Sequence, residues 1–420
     1  MRGNYKLNHY NKFNMVSILI RNIKSLVGIR EAEVRMLKGV NMKILPAIDD
    51  AYLLIENGII KSFGPNSEAP ERADEIIDAT GKFVFPCWCD SHTHIVYAGS
   101  REKEFVDKIH GLSYEEIAKR GGGIVNSALR LADASEHELF DAAWLRLKEM
   151  ENFGTGAVEI KSGYGLSYEG ELKMLRVIKR LKEQSKLAIK SNFLGAHAYP
   201  AAYKQDHEEY LDLLINRLLP QIADEGLADF IDVFCDRGFF SPDETDRILQ
   251  AGAKYGLQPK IHANELDYSG GIETGVKNLA LSVDHLEFTG DEQIEVLRNS
   301  VTMPTLLPST AFFLGLHYAP ARKMIDAGLP VAIATDYNPG SSPSGNMPFV
   351  VALACIKMKM LPEEAINAAT LNSAYAMGVE KHLGSITTGK KASVFISKPI
   401  SSLAFLPYSF GSNLVERVII

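Results

Sequence analysis

The sequence predicts an α/β protein, a (β/α)8 barrel of the TIM type with a small β-sandwich domain formed by both ends of the chain. The chain has 420 residues, which accommodates a barrel of about 250 residues and a smaller attachment. From residue 82 onward, eight short β-branched or apolar runs alternate with longer stretches of helical spacing. Before residue 82 and near the end of the chain, strand-like runs follow one another without such helices.

The barrel strands are predicted from the short apolar runs. They span residues 82–85, continuing towards His94, and then 157–161, 188–194, 230–235, 259–263, 281–286, 300–305 and 330–335. Helices are predicted between them at residues 168–184, 207–224, 242–255, 291–298 and 321–327. Because strands that alternate with helices lie parallel and are joined by crossovers, eight such units favour a closed barrel over an open sheet.

Both ends of the chain are predicted to build the small β domain. Residues 16–20, 51–56 and 59–63 are strand-like, and the Asn57-Gly58 pair is typical of a hairpin turn, since both residues tolerate positive φ. Residues 392–396 and 414–420 are strand-like as well. We therefore expect a β domain from residues 1–82 and 384–420 and a barrel from residues 83–383. Residues 1–14 are polar and precede Met15, so we expect them to form an extension.

The composition is that of a globular protein in a reducing compartment. Hydrophobic residues make up 46% and charged residues 23% of the chain, close to the average for soluble domains. A formal net charge of −7 disfavours a strongly electropositive nucleic-acid binder. Four cysteines are too few for a disulfide framework, and residues 349–356, the longest strongly apolar stretch, are shorter than the about 20 residues of a membrane helix. We expect a cytoplasmic protein without a nucleic-acid or membrane partner.

The strongest chemical signal is Asp-Ser-His-Thr-His at residues 90–94, where the first predicted barrel strand ends. Alternate residues of a strand point to one side, so His92 and His94 can present two ring nitrogens to one metal ion. A structural zinc site that adds Cys87 and Cys89 is disfavoured, because in a regular strand these two positions face the opposite side. The two cysteines are expected to pack against apolar neighbours.

Further potential ligands lie at the ends of later strands. His262 ends the fifth predicted strand, Glu265 follows it by three residues, and His285 ends the sixth. Asp336 comes directly after the eighth strand. Taken singly, each has an ordinary explanation as a polar or capping residue. Active sites of (β/α)8 barrels lie at the carboxyl ends of the strands, so we expect these side chains to meet there.

The chain resembles the amidohydrolase superfamily and, within it, the family of the imidazolonepropionases. The resemblance covers nearly the whole chain from about residue 15. His-x-His marks only the superfamily, whereas Lys-Ser-Gly-Tyr-Gly and Asp-x-Asn-Pro-Gly are more specific. The matching segments span residues 90–94, 99–101 (Gly-Ser-Arg), 159–165 (Glu-Ile-Lys-Ser-Gly-Tyr-Gly), 195–197 (Gly-Ala-His), 262–265 (His-Ala-Asn-Glu), 284–287 (Asp-His-Leu-Glu) and 335–341 (Thr-Asp-Tyr-Asn-Pro-Gly-Ser).

The resemblance implies a metal-dependent hydrolase. Glu265 is implied as the general acid and base, with His285 and Asp336 as further catalytic residues. One divalent ion per chain is implied, Zn²⁺ or Fe²⁺ with Fe³⁺ as a further option, since nitrogen and carboxylate ligands suit both metals. No lysine ends the fourth predicted strand, so a carboxylated lysine that bridges two metals is not expected. The implied metal ligands are His92, His94, His262 and Asp336.

The resemblance also implies a reaction, the hydrolytic ring opening of 4-imidazolone-5-propanoate to N-formimidoyl-L-glutamate in histidine degradation, by a homodimer. Arg101 is the residue implied to bind the substrate carboxylate. The implied substrate contacts are Arg101, Tyr114, Tyr164, His197, Glu265, Asn338, Gly340 and Ser341. Two alternatives stay open. A deaminase of a cyclic base would not require Arg101, and a non-catalytic binding protein would not require the metal ligands.

Overall fold

Eight parallel strands form a barrel in the computed structural model, which describes residues 16–112, 116 and 122–420. The predicted extension, residues 1–14, and Tyr114 lie outside the described residues. A short strand, Gln258–Pro259, adds to the edge of the fourth barrel strand. The barrel strands are Trp88–Thr93, Thr155–Lys161, Ala188–Ala196, Phe230–Cys235, Ile261–Ala263, Ser282–His285, Met303–Leu306 and Ala332–Ile333. The predicted barrel is thereby confirmed.

The barrel closes at the carboxyl ends of its first and last strands. Here the backbone N–H of Asp336 donates to the His92 carbonyl at 3.0 Å, and the N–H of His94 donates to the Tyr337 carbonyl at 2.9 Å. The Thr335 hydroxyl donates to the Asp90 carboxylate at 2.6 Å. This closing seam therefore brings Asp336 to His92 and His94, so that three of the predicted metal ligands meet although Asp336 lies far from the two histidines in the sequence.

Helices cover the outside of the barrel, and all five helices predicted from the periodicity are present. The one predicted over residues 207–224 contains a π-helical stretch, Leu213–Leu218. No helix in the described ranges combines the length and the apolar character that a bilayer crossing requires. The α-helices are Glu102–Ile109, Ile124–Asp133, Glu136–Asn152, Tyr168–Gln184, His207–Asp212, Leu219–Glu225, Pro242–Lys254, Gly271–Lys277, Asp291–Arg298, Pro308–Leu314, Ala321–Asp326, Met347–Ile356, Pro362–Asn367, Ser373–Ala376 and Phe405–Tyr408.

The two ends of the chain form a separate sheet of seven strands, which confirms the prediction of a β domain built from both ends. Asn57 and Gly58 form the hairpin turn with φ of 52° and 74°. Buried aliphatic side chains such as Ile20, Leu53 and Ile60 form its core. Its strands are Ser17–Val27, Ala47–Glu56, Ile59–Pro65, Glu75–Asp78, Phe83–Pro86, Val394–Ser397 and Val415–Ile419.

One predicted strand is divided between the two sheets. The sequence prediction joined Phe83–Pro86 to the first barrel strand, but this segment pairs with strands from both chain ends. The backbone N–H of Cys87 donates to the Ser393 carbonyl at 2.9 Å, and that of Trp88 donates to the Gly154 carbonyl at 3.0 Å. The chain thus passes from the sheet of the chain ends to the barrel sheet between Cys87 and Trp88, within a continuous apolar run. The division into two domains between residues 82 and 83 stays a prediction. The boundary between the two sheets lies at Cys87.

Candidate metal centre and substrate cavity

The predicted metal ligands meet at the carboxyl end of the barrel. Nε2 of His92 and Nε2 of His94 are 3.3 Å apart, and Oδ1 of Asp336 lies 3.3 Å from Nε2 of His94 and 3.5 Å from Nε2 of His92. Ring nitrogens of His92, His262 and His285 lie within 4.8 Å of one another. All five side chains are buried. Imidazole nitrogens with a carboxylate are a donor set for a divalent transition metal.

Two of the imidazoles are oriented by carboxylates behind them. Nδ1 of His92 lies 2.6 Å from Oδ2 of Asp284, and Nδ1 of His262 lies 3.0 Å from Oδ1 of Asp232. A carboxylate neighbour places the ring proton on Nδ1, so the Nε2 lone pair is left for another partner. Within the described part of the chain, the buried Nε2 of His262 has no hydrogen-bond partner. Because buried polar atoms are normally satisfied, this nitrogen fits a metal ligand.

The protonation states suit metal binding. Burial lowers the pKa of His92 well below its ordinary value, and the charge of Lys161 lowers it further. Burial also lowers the pKa of His262 to about 4, although Asp232 opposes this shift. Burial alone would raise the pKa of Asp336, but the hydrogen bond and charge of His94 outweigh it, and the pKa falls to about 2. A neutral imidazole, as favoured at His92 and His262, and an ionised carboxylate are the forms that bind metal ions.

A buried ionic network holds the two orienting carboxylates. Nζ of Lys161 lies 2.6 Å from Oδ2 of Asp232, 2.6 Å from Oε1 of Glu159 and 3.6 Å from Oδ2 of Asp284. Nζ of Lys260 binds the other oxygen of Glu159. All of these side chains are excluded from solvent. Burying unpaired charges is costly, so this arrangement fixes the carboxylates in place. Lys161, for which the sequence predicted no role beyond a place in a motif, is enclosed by these carboxylates.

No role was predicted for the other members of this network, although Glu159 and Asp284 lie in the matching segments at residues 159–165 and 284–287. Asp232, Asp284 and Glu159 lie within barrel strands, and Lys260 directly precedes the fifth, Ile261–Ala263. A signal for them was present, because a charged residue in such a strand requires a buried partner. Lys260 also precedes His262 by two residues, which places both on the same face of the strand.

Glu265 faces His285 across the site, with 3.6 Å between Oε2 of Glu265 and Nε2 of His285. The turn that carries Glu265 is held by Asp236, whose Oδ2 accepts hydrogen bonds from the backbone N–H groups of Glu265 at 2.8 Å and Leu266 at 2.9 Å. Burial raises the pKa of Glu265, although the charge of His285 opposes this shift. The arrangement suits a carboxylate that accepts and returns a proton.

His285 lies between two carboxylates. Besides Glu265, Oε2 of the buried Glu287 lies 3.8 Å from its Nδ1. Burial lowers the pKa of His285, but Glu265, Glu287 and Asp336 outweigh it and raise the pKa to about 9. The backbone of His285 has a φ of 83°, and Asp336 has a φ of 53°. Such values are rare outside glycine and cluster at functional sites.

These groups open onto a cavity of about 480 Å³, a size that suits a small molecule. Every predicted substrate contact except Tyr114, which lies outside the described residues, lines this cavity. Lys108, Phe234 and Phe239 also line it and were not predicted. The lining residues are His94, Arg101, Lys108, Ile124, Tyr164, His197, Phe234, Phe239, His262, Glu265, Leu266, His285, Leu314, Asp336, Asn338, Gly340 and Ser341.

Arg101 is fixed against the loop at Gly340. Its Nε and Nη2 donate to Oε2 of Glu104 at 2.9 and 2.5 Å. A Cβ on Gly340 would collide with Nη1 of Arg101. Only glycine therefore lets the guanidinium lie at this position.

Tyr164 and His197 form one wall of the cavity. The ring centroid of His197 lies 5.4 Å from the ring centroid of His94 and 5.5 Å from that of Tyr164. Nδ1 of His197 lies 3.0 Å from the Gly163 carbonyl, which fixes the ring. This wall offers flat faces next to the predicted metal ligands.

Asn338 is engaged within its own loop. Its Nδ2 donates to the Asp336 carbonyl and to Oγ of Ser341, both at 2.7 Å. Its Oδ1 accepts from the N–H groups of Gly340 and Ser341, both at 2.8 Å. The geometry therefore favours a role for Asn338 in shaping the loop that borders the cavity.

The alternative zinc site with cysteines has no support in the geometry. The metal-capable groups found in the described ranges contain no cysteine. Cys87 and Cys89 lie in apolar clusters. Burial raises the pKa of Cys89 to about 12, which leaves its thiol protonated.

Sequence comparison places the chain among known hydrolases. Residues 83–416 match the model of the amidohydrolase family. The chain is 58% identical over 403 residues to the imidazolonepropionase of Flavobacterium johnsoniae, covering 96% of this chain and 98% of that protein. It is 44% identical over 411 residues to the imidazolonepropionase of Geobacillus kaustophilus, covering 96% and 97% of the two chains.

Solved structures with the same architecture are more distant in sequence. Triazine hydrolase from Arthrobacter aurescens superposes with a TM-score of 0.72 at 15% identity, covering 96% of this chain and 93% of that one. Guanine deaminase from E. coli superposes with a TM-score of 0.73 at 14% identity, covering 96% and 97%. At such identities, these likenesses show the fold alone.

Proposed function

The chain belongs to the amidohydrolase family, and we propose that it catalyses the hydrolytic opening of the lactam ring of 4-imidazolone-5-propanoate. Water adds to the lactam carbonyl carbon, the bond from that carbon to the ring nitrogen breaks, and the product is N-formimidoyl-L-glutamate. The curated imidazolonepropionases at 58% and 44% identity confirm the family and the reaction expected from the motifs. In the structure, one observation carries the proposal: a single cavity joins the histidine cluster and Glu265 to Arg101.

For the metal, we propose one divalent ion per chain, Zn²⁺ or Fe²⁺, held by His92, His94, His262 and Asp336. Support comes from the converging Nε2 and Oδ1 atoms and from the unpartnered Nε2 of His262. When bound, such an ion supplies Lewis-acid chemistry that lowers the pKa of water towards neutrality. The donor set suits both metals, so their choice rests on elemental analysis.

Glu265 is the proposed proton carrier. Its carboxylate takes a proton from the attacking water at one oxygen and later gives that proton to the ring nitrogen that leaves. Burial raises its pKa, and a raised pKa favours the protonated form that this return step requires. His285, opposite Glu265, is proposed to donate a hydrogen bond to the carbonyl oxygen on which negative charge develops.

The other parts of the substrate, the propanoate and the flat ring, are proposed to contact residues that line the cavity. Arg101 is proposed to bind the propanoate carboxylate, because a guanidinium donates charge-assisted hydrogen bonds to a carboxylate. Tyr164 and His197 are proposed to lie against the flat ring. The loop with Gly340 and Ser341 borders the opposite side, and Tyr114 stays a predicted contact. These roles orient the lactam carbonyl towards the histidine cluster.

The two alternatives are weaker. A deaminase of a cyclic base shares the fold, as guanine deaminase does, but it has no use for Arg101 in the cavity. A non-catalytic binding protein would have no need of the complete histidine and aspartate cluster. Both alternatives are separated from the proposal by the requirement for a carboxylate on the substrate.

The test is ultraviolet absorbance of the purified protein mixed with freshly generated imidazolone propanoate, with elemental analysis of the same batch. We expect loss of the imidazolone absorbance that a chelator abolishes, with about one metal ion per chain. No turnover by protein with a filled metal site would contradict the proposal, and cyclic bases would then be the next substrates.

We also propose a homodimer in the cytoplasm, as the family resemblance implies. Light scattering coupled to size-exclusion chromatography tests the dimer, with an expected mass of twice the 46.3 kDa chain. A mass of one chain at micromolar concentration would contradict it.

A further inference from the structure

We propose that Lys108 is a second cation for the substrate carboxylate, which Arg101 and Lys108 bind together. This inference rests on the proposed function, since it assigns one end of the same cavity. Lys108 belongs to none of the motifs described above.

Arg101 and Lys108 lie on one side of the same helix. Arg101 is the residue before the helix Glu102–Ile109, and Lys108 follows it by seven residues, which is about two helical turns. Both side chains line the cavity. Nζ of Lys108 lies 3.4 Å from the Gly340 carbonyl, and the guanidinium of Arg101 lies against Gly340 as well. The two cations therefore meet at the same part of the loop.

The charges at this end of the cavity are unbalanced. Glu104 is the carboxylate beside the two cations, and it is already engaged by Nε and Nη2 of Arg101 and by the Gly123 N–H at 3.0 Å. The carboxylates that line the cavity, Glu265 and Asp336, lie beside histidines of the metal cluster instead. Among the described residues at this end of the cavity, two cations thus share one carboxylate, and an anion from solution would neutralise the excess charge.

The electrostatic state of Lys108 agrees with this geometry. Burial lowers its pKa, the positive charge of Arg101 lowers it further, and Glu104 opposes both. An ammonium in this position gains from a nearby anion. A propanoate carboxylate offers two oxygens, of which one can face Nη1 of Arg101 and the other the ammonium of Lys108.

The position of Lys108 also determines which kinetic constant it controls. The reacting carbonyl has to lie at the histidine cluster, whereas Nζ of Lys108 lies against the Gly340 carbonyl, beside Arg101. Its attraction for the carboxylate is the same before and during the reaction, so it lowers KM and leaves kcat nearly unchanged. Lys108 is thus a specificity residue and takes no part in proton transfer.

The experiment compares Lys108→Gln with the wild-type holoenzyme in steady-state kinetics on imidazolone propanoate. We expect KM to rise about 10- to 100-fold, the range for one charge-assisted hydrogen bond, and kcat to change less than about threefold. Lys108→Arg keeps the charge and is expected to retain most of the affinity. Lys103→Gln, on the exposed side of the same helix, is the matched control and should leave both constants unchanged.

Two ligands that do not react test the interaction with the carboxylate separately from catalysis. The probes are 3-(imidazol-4-yl)propanoate and its neutral amide, with affinities measured by calorimetry on the metal-loaded protein. The wild type should prefer the acid, and Lys108→Gln should reduce this preference by the factor seen in KM. An unchanged preference in the variant overturns the inference, as does a loss of kcat equal to the rise in KM, which would assign Lys108 to holding the loop.

These measurements separate the inference from the proposed function. Turnover by the wild type with unchanged KM in Lys108→Gln leaves the function intact and removes Lys108 from the carboxylate site. Absence of turnover by the wild type removes the function, and the calorimetric preference for acid over amide still decides whether Lys108 binds a carboxylate.

Discussion

Nδ1 of His92 lies 2.6 Å from Oδ2 of Asp284, and neither side chain is reached by solvent. Asp284 does not line the cavity, yet it sets the ring orientation and the proton position of a predicted metal ligand. Because Asp284 in turn lies beside Lys161, the metal centre and the ionic network beneath it form one connected unit.

Asp284→Asn should weaken metal binding by about 10- to 100-fold, since an amide keeps the shape but loses the charge that favours a proton on Nδ1 of His92. Competition with a chromogenic chelator measures this affinity. Asp224→Asn, at an exposed position, is the control. Unchanged affinity in Asp284→Asn would show that Asp284 does not support the ligand.

Glu265→Gln should retain the metal and lose turnover by about 10²- to 10⁴-fold, because the amide cannot accept or return a proton. Elemental analysis and the absorbance assay measure the two properties on the same sample. Glu292→Gln, on the surface helix Asp291–Arg298, should be fully active. Near-normal turnover by Glu265→Gln would exclude Glu265 as the proton carrier.

Gly340→Ala should raise KM by about tenfold or more, because the added Cβ displaces the guanidinium of Arg101 from the carboxylate site. In an Arg101→Ala background the same change should have little further effect, as expected for coupled residues. Gly411→Ala has open space around the new methyl group and serves as the control. Additive effects of the two substitutions would disprove the coupling.

Acidification should destabilise the metal-free protein between pH 6.5 and 4. An unfolded histidine has a pKa of about 6.5, whereas burial lowers that of folded His262 to about 4. In this interval the unfolded chain binds a proton that folded His262 does not, so the free energy of unfolding falls as the pH falls. Thermal unfolding should show a Tm several degrees lower at pH 5 than at pH 7.

The variant His262→Asn lacks this titration and should show a weaker dependence of Tm on pH over the same interval. Bound metal should strengthen the dependence, since protons compete with the ion for the imidazoles and the stabilisation by the metal is lost as the pH falls. Identical pH profiles for the wild-type and variant proteins, both without metal, would show that His262 is not the group responsible.

Local patterns in the sequence were sufficient to predict the barrel and to select the candidate metal ligands. His92 and His94 follow from the alternation of a strand, and His262 and Asp336 follow from their places where strands end. These are features of consecutive residues, and they do not depend on knowing which strands are neighbours.

The supporting carboxylates could not be predicted in the same way. Asp284 meets its partner His92 across 192 residues of sequence, and a buried aspartate is explained only by the group that it contacts. Lys161 was visible within a motif, but its partners Asp232 and Asp284 come from the fourth and sixth barrel strands. Lys108 was not predicted as a substrate contact, because an isolated lysine on a helix is most often a solvated surface residue.

The closing seam of the barrel determines when the proposed ligand set can assemble during synthesis. The His92 carbonyl and the His94 N–H find their partners on Asp336 and Tyr337, so the seam stays open until these residues have left the ribosome. Until then the first strand is an uncovered edge that can pair with other nascent chains. The proposed ligands therefore come together only late in the synthesis of the chain.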